Sequence, residues 1–335
     1  MMNELHPYRA VIQSVPDSET RPLWSVMIPT YNCANYLRET LASVLAQAPG
    51  ADVMQIEVVD DHSTKDDPEA VVRELAGDRV SFYRQPENVG HIRNFNTCLQ
   101  RSRGHLIHLL HGDDCVQDSF YQKMQQSFEK YSEVRAAFCR YIGMDEHGHW
   151  LWLPPLQQIK SGILENWLEQ IAVINHLQPP SMVVRRDVYE KLGGYDSRLS
   201  QFAEDWEMWV RIAAQYQVWY EVEPLAIYRI HSSSLTGYSI RTGQNVRDIR
   251  QAIEIIQPYL PKSISNKLYI KARENWALYA ISDITPRLFA IGDLTAAITQ
   301  IQEALRCSYS LKVIQALIFV LPWRTGKTWL KKTRP

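Results

Sequence analysis

The segment from Gly104 to Asp114 constrains the fold more than any other stretch of the sequence. It runs Gly-His-Leu-Ile-His-Leu-Leu-His-Gly-Asp-Asp, so a largely apolar run stops at two adjacent carboxylates. An apolar run of this length before a turn predicts a buried strand of a parallel sheet. Ligands of open α/β sheets bind beyond the carboxyl ends of such strands, where the oxygens of Asp113 and Asp114 suit Mg²⁺ or Mn²⁺. Alternatively, this acidic pair only caps the next helix.

Shorter apolar runs precede this segment, with helical patterns between them. Trp24 to Ile28 ends at Pro29, Gln55 to Val59 ends at the carboxylate pair Asp60-Asp61, and Val80 to Arg84 follows. Strands that alternate with helices predict an α/β fold whose first half contains a parallel sheet. Carboxylates and polar groups are therefore expected at one edge of that sheet.

The second half of the chain predicts a more mixed arrangement, in which strands follow one another with fewer helices between them. The predicted strands are Ala136 to Met144, Ser181 to Val184, Val218 to Tyr220 and Ala226 to Ile230. From Thr242 onward the apolar spacing is helical, with prolines as breaks. We therefore expect a loose N-terminal extension at 1–22, an α/β domain at 23–238 and a helical C-terminal region at 239–335.

Composition excludes several classes of protein. The net charge of −1 gives no electrostatic reason to expect a nucleic-acid partner. The five cysteines include no Cys-x-x-Cys pair, and no signal peptide is recognisable, which favours a reducing cytosol. No run approaches the roughly 18 apolar residues that a membrane-spanning helix needs.

Two residues outside the opening segment are candidates for chemistry. Asp205 lies at the predicted start of a helix, where the helix dipole favours an ionised carboxylate that could act as a general base. It could equally be an ordinary first-turn acid. His231 follows the last predicted strand and could contact a metal or a phosphate, although a single histidine is more often structural. Trp206 and Trp209 could stack on the ring of a bound sugar or pack in the core.

Seven motifs in a fixed order point to one family. The chain from Trp24 to His231 resembles the family 2 glycosyltransferases, inverting enzymes with the GT-A fold. The segments that carry the resemblance are Ser25–Asn32, Val58–Ser63, Asn88–Gly90, Gly104–Asp114, Lys191–Asp196, Glu204–Trp206 and Tyr228–His231. The resemblance implies a mainly parallel mixed sheet and a nucleotide-sugar donor.

The resemblance also implies a role for each matching residue. The implied donor-nucleotide residues are Pro29, Thr30, Tyr31, Asp61, Asn96 and Gly112. The implied ligands of a divalent metal, Mn²⁺ or Mg²⁺, are Asp113, Asp114 and His231. Asp205 matches the base that deprotonates the acceptor hydroxyl, and Glu204 is its catalytic neighbour.

Two positions depart from the family pattern. His111 stands where many relatives carry the first aspartate of an Asp-x-Asp motif, so Asp113 must provide most of the metal ligation. Phe95 stands where an arginine often precedes the asparagine of the central helix. These departures concern metal and diphosphate binding more than the fold.

The resemblance implies metal-assisted inverting transfer of a sugar to a hydroxyl group, with a UDP-sugar as the expected donor. The expected acceptor is a saccharide or a lipid-linked molecule in cell-surface polysaccharide or glycolipid synthesis. A sugar-1-phosphate nucleotidyltransferase is an alternative. That chemistry calls for a glycine-rich basic loop after the first strand, where Pro29-Thr30-Tyr31-Asn32 stands instead. A non-catalytic nucleotide-sugar-binding protein is a further alternative.

The C-terminal tail suggests a second kind of contact. Val313 to Leu321 is strongly apolar, and Trp323 and Trp329 follow among five basic residues. Residues 311–335 could therefore attach the chain peripherally to the anionic inner face of a membrane. The alternative is a packed helix with a solvated basic end.

Overall fold

The strands belong to one ten-stranded sheet in the computed structural model, which describes residues 7–16, 18–231 and 234–320. The strands are β1 (Trp24–Thr30), β2 (Met54–Asp60), β3 (Ser81–Arg84), β4 (Leu106–Leu109), β5 (Cys115–Val116), β6 (Val134–Asp145), β7 (Trp150–Trp152), β8 (Gly162–Ile163), β9 (Met182–Arg185) and β10 (Gln217–Ile230).

The described helices are mostly short in the first half of the chain and continuous towards its end. They are α1 (Ala34–Leu45), α2 (Pro68–Ala76), α3 (His91–Arg101), α4 (Phe120–Lys130), α5 (Trp167–Ile171), α6 (Arg186–Leu192), α7 (Glu204–Ala213), α8 (Leu235–Thr242), α9 (Gln244–Ile256), α10 (Ser265–Tyr279), α11 (Thr285–Ile291), α12 (Leu294–Cys307) and α13 (Leu311–Val320). A π-helical segment at Ala280–Ile284 joins α10 to α11.

The order of strands in the sheet is β3-β2-β1-β4-β9-β6-β10-β5, with β7 on β6 and β8 on β10. Strands β1 to β4 are parallel, and β6 and β10 are parallel to each other. Because β9 is antiparallel to both β4 and β6, these two strands run in the same direction. The carboxyl ends of β1, β2, β4 and β10 therefore point to the same edge of the sheet, and the predicted mixed α/β fold is confirmed.

One predicted boundary in the second half is wrong. The two strands expected at Val218–Tyr220 and Ala226–Ile230 are parts of the single strand β10. Its register against β6 shifts between Glu221 and Pro224 and again before Ala226. A proline and a bulge interrupt the ladder without ending the strand, which explains why the sequence pattern suggested a gap.

Helix ends follow the local signals in the sequence. Helix α2 begins at Pro68, and the side chain of Asp67 caps it by accepting a 3.2 Å hydrogen bond from the Ala70 amide. Helix α6 ends at Leu192, and Gly193 follows with a φ of +78° that L-residues rarely adopt. Proline in the first turn and glycine after the last turn are the residue types expected at such helix ends.

The chain divides into two compact units that alternate along the sequence. The first contains the described parts of 1–167, 176–198 and 211–231, and the second contains 168–175, 199–210 and the described part of 232–335. The predicted boundary at 238 lies near the last crossing at Ser232, but the second unit also includes two earlier segments. One of those segments contains Glu204 and Asp205.

The sequence predicted a loose N-terminal extension. The described part of this extension is instead packed on the first unit. The amide of Gly194 donates to the carbonyl of Ala10 at 2.8 Å, and the amide of Ser197 donates to that of Tyr8 at 2.8 Å. Ile12 is buried. Residues 7–16 therefore cover the segment that contains the Gly-Gly-Tyr-Asp motif.

Candidate active site

The ends of β1 and β4 meet through a close backbone contact. The amide of Gly112 donates to the carbonyl of Pro29 at 3.0 Å, and a Cβ at Gly112 would lie 3.1 Å from Thr30 Oγ1 and 3.2 Å from Cys33 Sγ. Only a residue without a side chain fits this approach easily. Thr30 is buried, whereas Tyr31 is 48% exposed at the edge of the sheet. These four predicted donor residues, Pro29, Thr30, Tyr31 and Gly112, therefore lie together in the first unit.

Asp61 organises the neighbouring loop. Its two carboxylate oxygens accept hydrogen bonds from the amides of Val89 (2.8 Å) and Gly90 (3.0 Å). Burial raises the pKa of Asp61, and these two hydrogen bonds partly oppose that rise. The carboxylate thus fixes the loop that leads into α3, and direct binding of a nucleotide base by Asp61 stays a prediction.

The opening acidic segment forms a candidate metal site. One ligand atom each of His111, Asp113 and Asp114 lies within 4.8 Å of the other two. Asp114 is buried, and its Oδ1 accepts a 2.9 Å hydrogen bond from the amide of Arg229. Burial and the adjacent charge of Asp113 raise the pKa of Asp114 well above its ordinary value. The alternative role as a helix cap is not seen, because helix α4 begins only at Phe120.

His231 joins this cluster from the end of β10. Its Nε2 lies 2.9 Å from Oδ2 of Asp113, at hydrogen-bond distance, and its ring packs against Tyr36 with centroids 4.9 Å apart. Burial opposes ionisation of Asp113, but the hydrogen bond with His231 and the neighbouring imidazole of His111 hold the pKa of Asp113 below its ordinary value. An ionised Asp113 is the form that binds a cation.

A divalent cation fits the donor set of this cluster. Oδ2 of Asp114 is buried and has no hydrogen-bond partner among the described residues. A buried carboxylate oxygen without a partner is costly, and two adjacent acids repel each other when both are ionised. A cation bound between Asp113 and Asp114 would satisfy the unpaired oxygen and offset that repulsion.

Arg229 contacts the cluster through both its side chain and its main chain. The sequence pattern alone assigned it no role. Its buried guanidinium donates to the carbonyl of Asp113 at 2.9 Å and also pairs with Glu39. The guanidinium carbon lies 4.9 Å from the centre of the Tyr36 ring. Arg229 therefore fixes the main chain of Asp113 with its side chain and the carboxylate of Asp114 with its amide. Arg229 lies on β10 and His231 directly follows its last residue, so their period-2 spacing predicts side chains on the same side of the extended chain and could have indicated this role.

The two departures from the family pattern contact each other. The rings of Phe95 and His111 are stacked, with centroids 4.9 Å apart and an angle of 25° between their planes. The side-chain amide of the next residue, Asn96, is buried and bonded to the main chain of Tyr195. Its amide accepts from the Tyr195 amide (2.8 Å) and donates to the Tyr195 carbonyl (3.2 Å). These bonds give Asn96 a structural role, and donor binding by Asn96 stays a prediction.

The predicted base lies in the second unit, at the start of α7. Oδ1 of Asp205 accepts a 2.6 Å hydrogen bond from the Trp206 amide, and Asn175 lies within 3.4 Å of Oδ2. Burial and the charge of Glu204 raise the pKa of Asp205 to about 7. A carboxylate with that pKa suits proton transfer near neutral pH, because about half of it is ionised there and the ionised form is basic enough to accept a proton.

The loop before α7 is held in a strained conformation. Ala203 has a φ of +69°, which is uncommon for a residue with a side chain. The buried carboxylate of Asp248 accepts a 2.9 Å hydrogen bond from the Gln201 amide. Asp248 on α9 thus anchors the approach to Glu204 and Asp205, a contact between residues far apart in sequence that no local signal indicates.

The tryptophans of α7 pack in the core. Trp206 and Trp209 are 1% and 3% exposed, and Trp206 donates to the carbonyl of Ile171 at 2.6 Å. The ring of Trp206 also contacts Trp276, with centroids 5.1 Å apart. Core packing, rather than stacking on a sugar, is therefore the role of these two residues.

Comparison with known proteins agrees with this organisation. Residues 25–193 match the family described as Glycosyl transferase family 2. An uncharacterised protein of Mycobacterium tuberculosis is 28% identical over 73% of this chain and 79% of its own. An uncharacterised glycosyltransferase of Rickettsia prowazekii is 25% identical over 68% of this chain and 70% of its own.

Two solved structures show the fold. TarS 1–349 of S. aureus, in complex with UDP-GlcNAc, has a TM-score of 0.63 at 16% identity and matches 88% of this chain and 81% of that one. The mannosyltransferase PcManGT of Pyrobaculum calidifontis, in complex with GDP-Man and Mn²⁺, has a TM-score of 0.55 at 18% identity. This match covers 95% of this chain and 86% of PcManGT. The match over half of the sequence and the GT-A architecture lead to one conclusion: this chain is a glycosyltransferase and belongs to glycosyltransferase family 2.

Proposed function

We propose that this enzyme is an inverting glycosyltransferase that moves a sugar from a UDP-sugar to a hydroxyl group of a saccharide or lipid-linked acceptor. The observation that supports it most is the cluster of His111, Asp113, Asp114 and His231 at the carboxyl edge of the sheet. Acidic and imidazole groups at this edge suit a cation and a diphosphate. The relative with UDP-GlcNAc supports a uridine nucleotide, and the one with GDP-Man keeps guanosine as the alternative.

Asp113 and Asp114 would hold the divalent ion, Mn²⁺ or Mg²⁺, with His231 beside them. When bound, that ion offsets the negative charge that grows on the departing diphosphate. Arg229 keeps the main chain of Asp113 in place. Tyr31, exposed directly after β1, is available to the nucleotide, and Pro29, Thr30 and Gly112 would contribute to the same binding site.

Asp205 would take the proton of the acceptor hydroxyl. As the acceptor oxygen bonds to the anomeric carbon, the bond from that carbon to the diphosphate oxygen breaks, and the hydroxyl proton passes to the Asp205 carboxylate. The sugar resembles an oxocarbenium ion in the transition state. Glu204 raises the pKa of Asp205 and so strengthens it as a base.

Thermal shift with UDP-, GDP- and dTDP-sugars, each with and without Mn²⁺, tests donor and metal together. We expect stabilisation by a UDP-sugar that depends on Mn²⁺, together with slow hydrolysis of that donor. Asp113→Asn should lose both effects, whereas Asp118→Asn, the same change at an exposed acid nearby, should keep them. Donor stabilisation with no hydrolysis or transfer would favour a non-catalytic binding protein.

The nucleotidyltransferase alternative makes a different product. Such an enzyme would release pyrophosphate from a nucleoside triphosphate and a sugar 1-phosphate. Incubation with both substrates should release no pyrophosphate if the chain transfers sugars. Pyrophosphate release at a rate above that of donor hydrolysis would contradict the proposal.

We further propose that α13 lies on an anionic membrane surface on the cytosolic side, where lipid-linked acceptors for polysaccharide or glycolipid synthesis would be met. One face of this helix is buried through Val313 and Val320. The opposite face exposes Leu311 (82%), Ile318 (62%) and Phe319 (78%), so a second apolar face has no protein partner among the described residues. No described helix is both long and apolar enough to cross a bilayer.

Charge supports a lipid partner for this face. Residues 232–335 contain 15 lysines and arginines against 6 acidic residues, whereas residues 1–231 contain 21 against 31. Basic residues near an apolar face attract anionic lipids. The two tail tryptophans, the five basic residues after Val320 and most of the predicted 311–335 segment lie outside the described residues.

Co-sedimentation with vesicles tests the contact. We expect binding to vesicles that contain phosphatidylglycerol and little binding to pure phosphatidylcholine. Ile318→Asp should reduce binding, whereas Ile270→Asp, at an isoleucine of α10 with 59% exposure, should not. Equal binding of both variants would contradict the role of α13.

A further inference from the structure

We propose that His111 is a direct nitrogen ligand of the divalent cation and that it makes the site prefer Mn²⁺ or Co²⁺ to Mg²⁺. This inference rests on the proposed function, because it requires that a cation binds beside Asp113. It adds the identity of a ligand and the choice of metal, and both follow from the side chains of this particular chain.

The position of His111 is compatible with direct ligation. A ring nitrogen of His111 and carboxylate oxygens of Asp113 and Asp114 all lie within 4.8 Å of one another. Ligand atoms bind such ions at roughly 2.0–2.2 Å, so two ligands of one ion are separated by about 4.4 Å or less. Small rotations of the Asp113 and Asp114 side chains would therefore bring all three ligand atoms to one ion.

The ring of His111 is also held in one orientation. It stacks on Phe95, which is only 7% exposed. Phe95 is fixed in turn by edge contacts with His91, at a centroid distance of 5.4 Å, and with Tyr195, at 5.5 Å. A ligand whose ring is packed in this way loses little freedom when it binds a metal. The Phe95 side chain thus acts as a support for His111.

The resulting donor set contains nitrogen as well as oxygen. His111 supplies one imidazole, and His231, whose Nε2 is 2.9 Å from Asp113 Oδ2, is placed to supply another. Mg²⁺ prefers an all-oxygen shell of carboxylates and water, whereas imidazole suits transition metals. The order of stability of such complexes places Co²⁺ above Mn²⁺. A site with one or two imidazoles should therefore discriminate against Mg²⁺.

A competition experiment measures this preference without an activity assay. The electron paramagnetic resonance signal of free Mn²⁺ reports binding to the full chain in the presence of UDP, and added Mg²⁺ competes with it. We expect that a large excess of Mg²⁺ is needed to displace Mn²⁺ from the wild type. In His111→Asp the required excess should be lower by about tenfold or more. His105→Asp, the same change at an exposed histidine just before β4, should leave the ratio unchanged.

A second measurement identifies the ligand directly. Pulsed electron paramagnetic resonance of the Mn²⁺–UDP complex detects the nitrogen of a bound imidazole. In His231→Gln, a remaining nitrogen coupling belongs to His111 and should disappear when His111→Asp is added. The coupling in His231→Gln alone answers the question even if variants that carry His111→Asp do not fold.

The outcomes separate the two proposals. If Mn²⁺ binds but His231→Gln shows no nitrogen coupling, or a folded His111→Asp keeps the wild-type ratio of Mg²⁺ to Mn²⁺, the role of His111 is refuted while metal-assisted transfer stands. If Mn²⁺ does not bind in the presence of UDP, the metal site of the proposed function fails as well.

Discussion

Replacing Asp205 by asparagine should abolish transfer and, at the same time, stabilise the protein at alkaline pH. The reason is that burial and the neighbouring charge of Glu204 raise the pKa of Asp205 to about 7. A base that the fold keeps at this pKa is ionised at a cost to stability. Asparagine has nearly the same shape, can still accept from the Trp206 amide through its carbonyl oxygen, and carries no charge.

The magnitude follows from the difference between the two states. The carboxyl of Asp205 ionises near 3.8 in the unfolded chain and near 7 in the folded one. The stability of wild type therefore falls as the pH rises from about 4 to about 7, because the unfolded chain releases this proton first. At about 1.4 kcal/mol per pKa unit, the cost is about 2 kcal/mol at pH 5 and about 4 kcal/mol at pH 8, as upper bounds.

Thermal unfolding of both proteins at pH 5 and pH 8 measures this effect, alongside donor turnover. The stability advantage of Asp205→Asn over wild type should grow by a few degrees between the two pH values. Asp187→Asn, a similar change in the first turn of α6, should show no such growth and keep activity. Retained turnover in Asp205→Asn would refute its role as base, and a stability difference independent of pH would refute the raised pKa.

Three further predictions concern the surroundings of the two sites. Glu204→Gln should move the acid limb of the pH profile of kcat/KM to lower pH, because it removes a charge that raises the pKa of Asp205. Arg229→Gln should lower the free energy of unfolding by about 1.5–3 kcal/mol in urea titrations and weaken Mn²⁺ binding in the presence of UDP. Asn96→Ala should lose about 1–3 kcal/mol of stability through Tyr195; reduced UDP affinity in the folded variant would instead indicate a direct role in donor binding.

Local patterns in the sequence were enough for β1 to β4, β6 and β9 and for the acids at the strand ends, whereas the two-residue strands β5 and β8 were not predicted. The apolar run before Asp113 contains the strand β4, which ends at Leu109. The amides of Leu110 and Gly112 still donate to the carbonyls of Met27 and Pro29 on β1, so the chain stays beside that strand up to the acidic pair. Pro68 marks a helix start because the proline ring fixes φ at a helical value and its missing N–H is not needed there. Gly193 marks a helix end because glycine adopts a positive φ without steric cost. The sequence predicted two strands where β10 is continuous. A bulge and a loop give the same pattern along one strand, and only the pairing with β6 distinguishes them.

Local sequence patterns could not predict the contacts between distant segments. The stack of Phe95 on His111, the hold of Arg229 on Asp113 and the pairing of residues 8–10 with 194–197 all join residues far apart in the chain. Each depends on the order of strands in the sheet, which single-strand periodicity does not contain.

The sequence by itself determined the α/β class, the acids at the strand ends and the family, because these depend on residue type and spacing along the chain. The tertiary structure alone decided how those acids behave. Oδ2 of Asp114 is buried without a hydrogen-bond partner among the residues that the structure describes. The hydrogen bond with His231 helps to keep the pKa of Asp113 low, whereas burial and the charge of Glu204 keep that of Asp205 high. The physical reason is that a pKa depends on burial and on nearby charges, and the fold creates both.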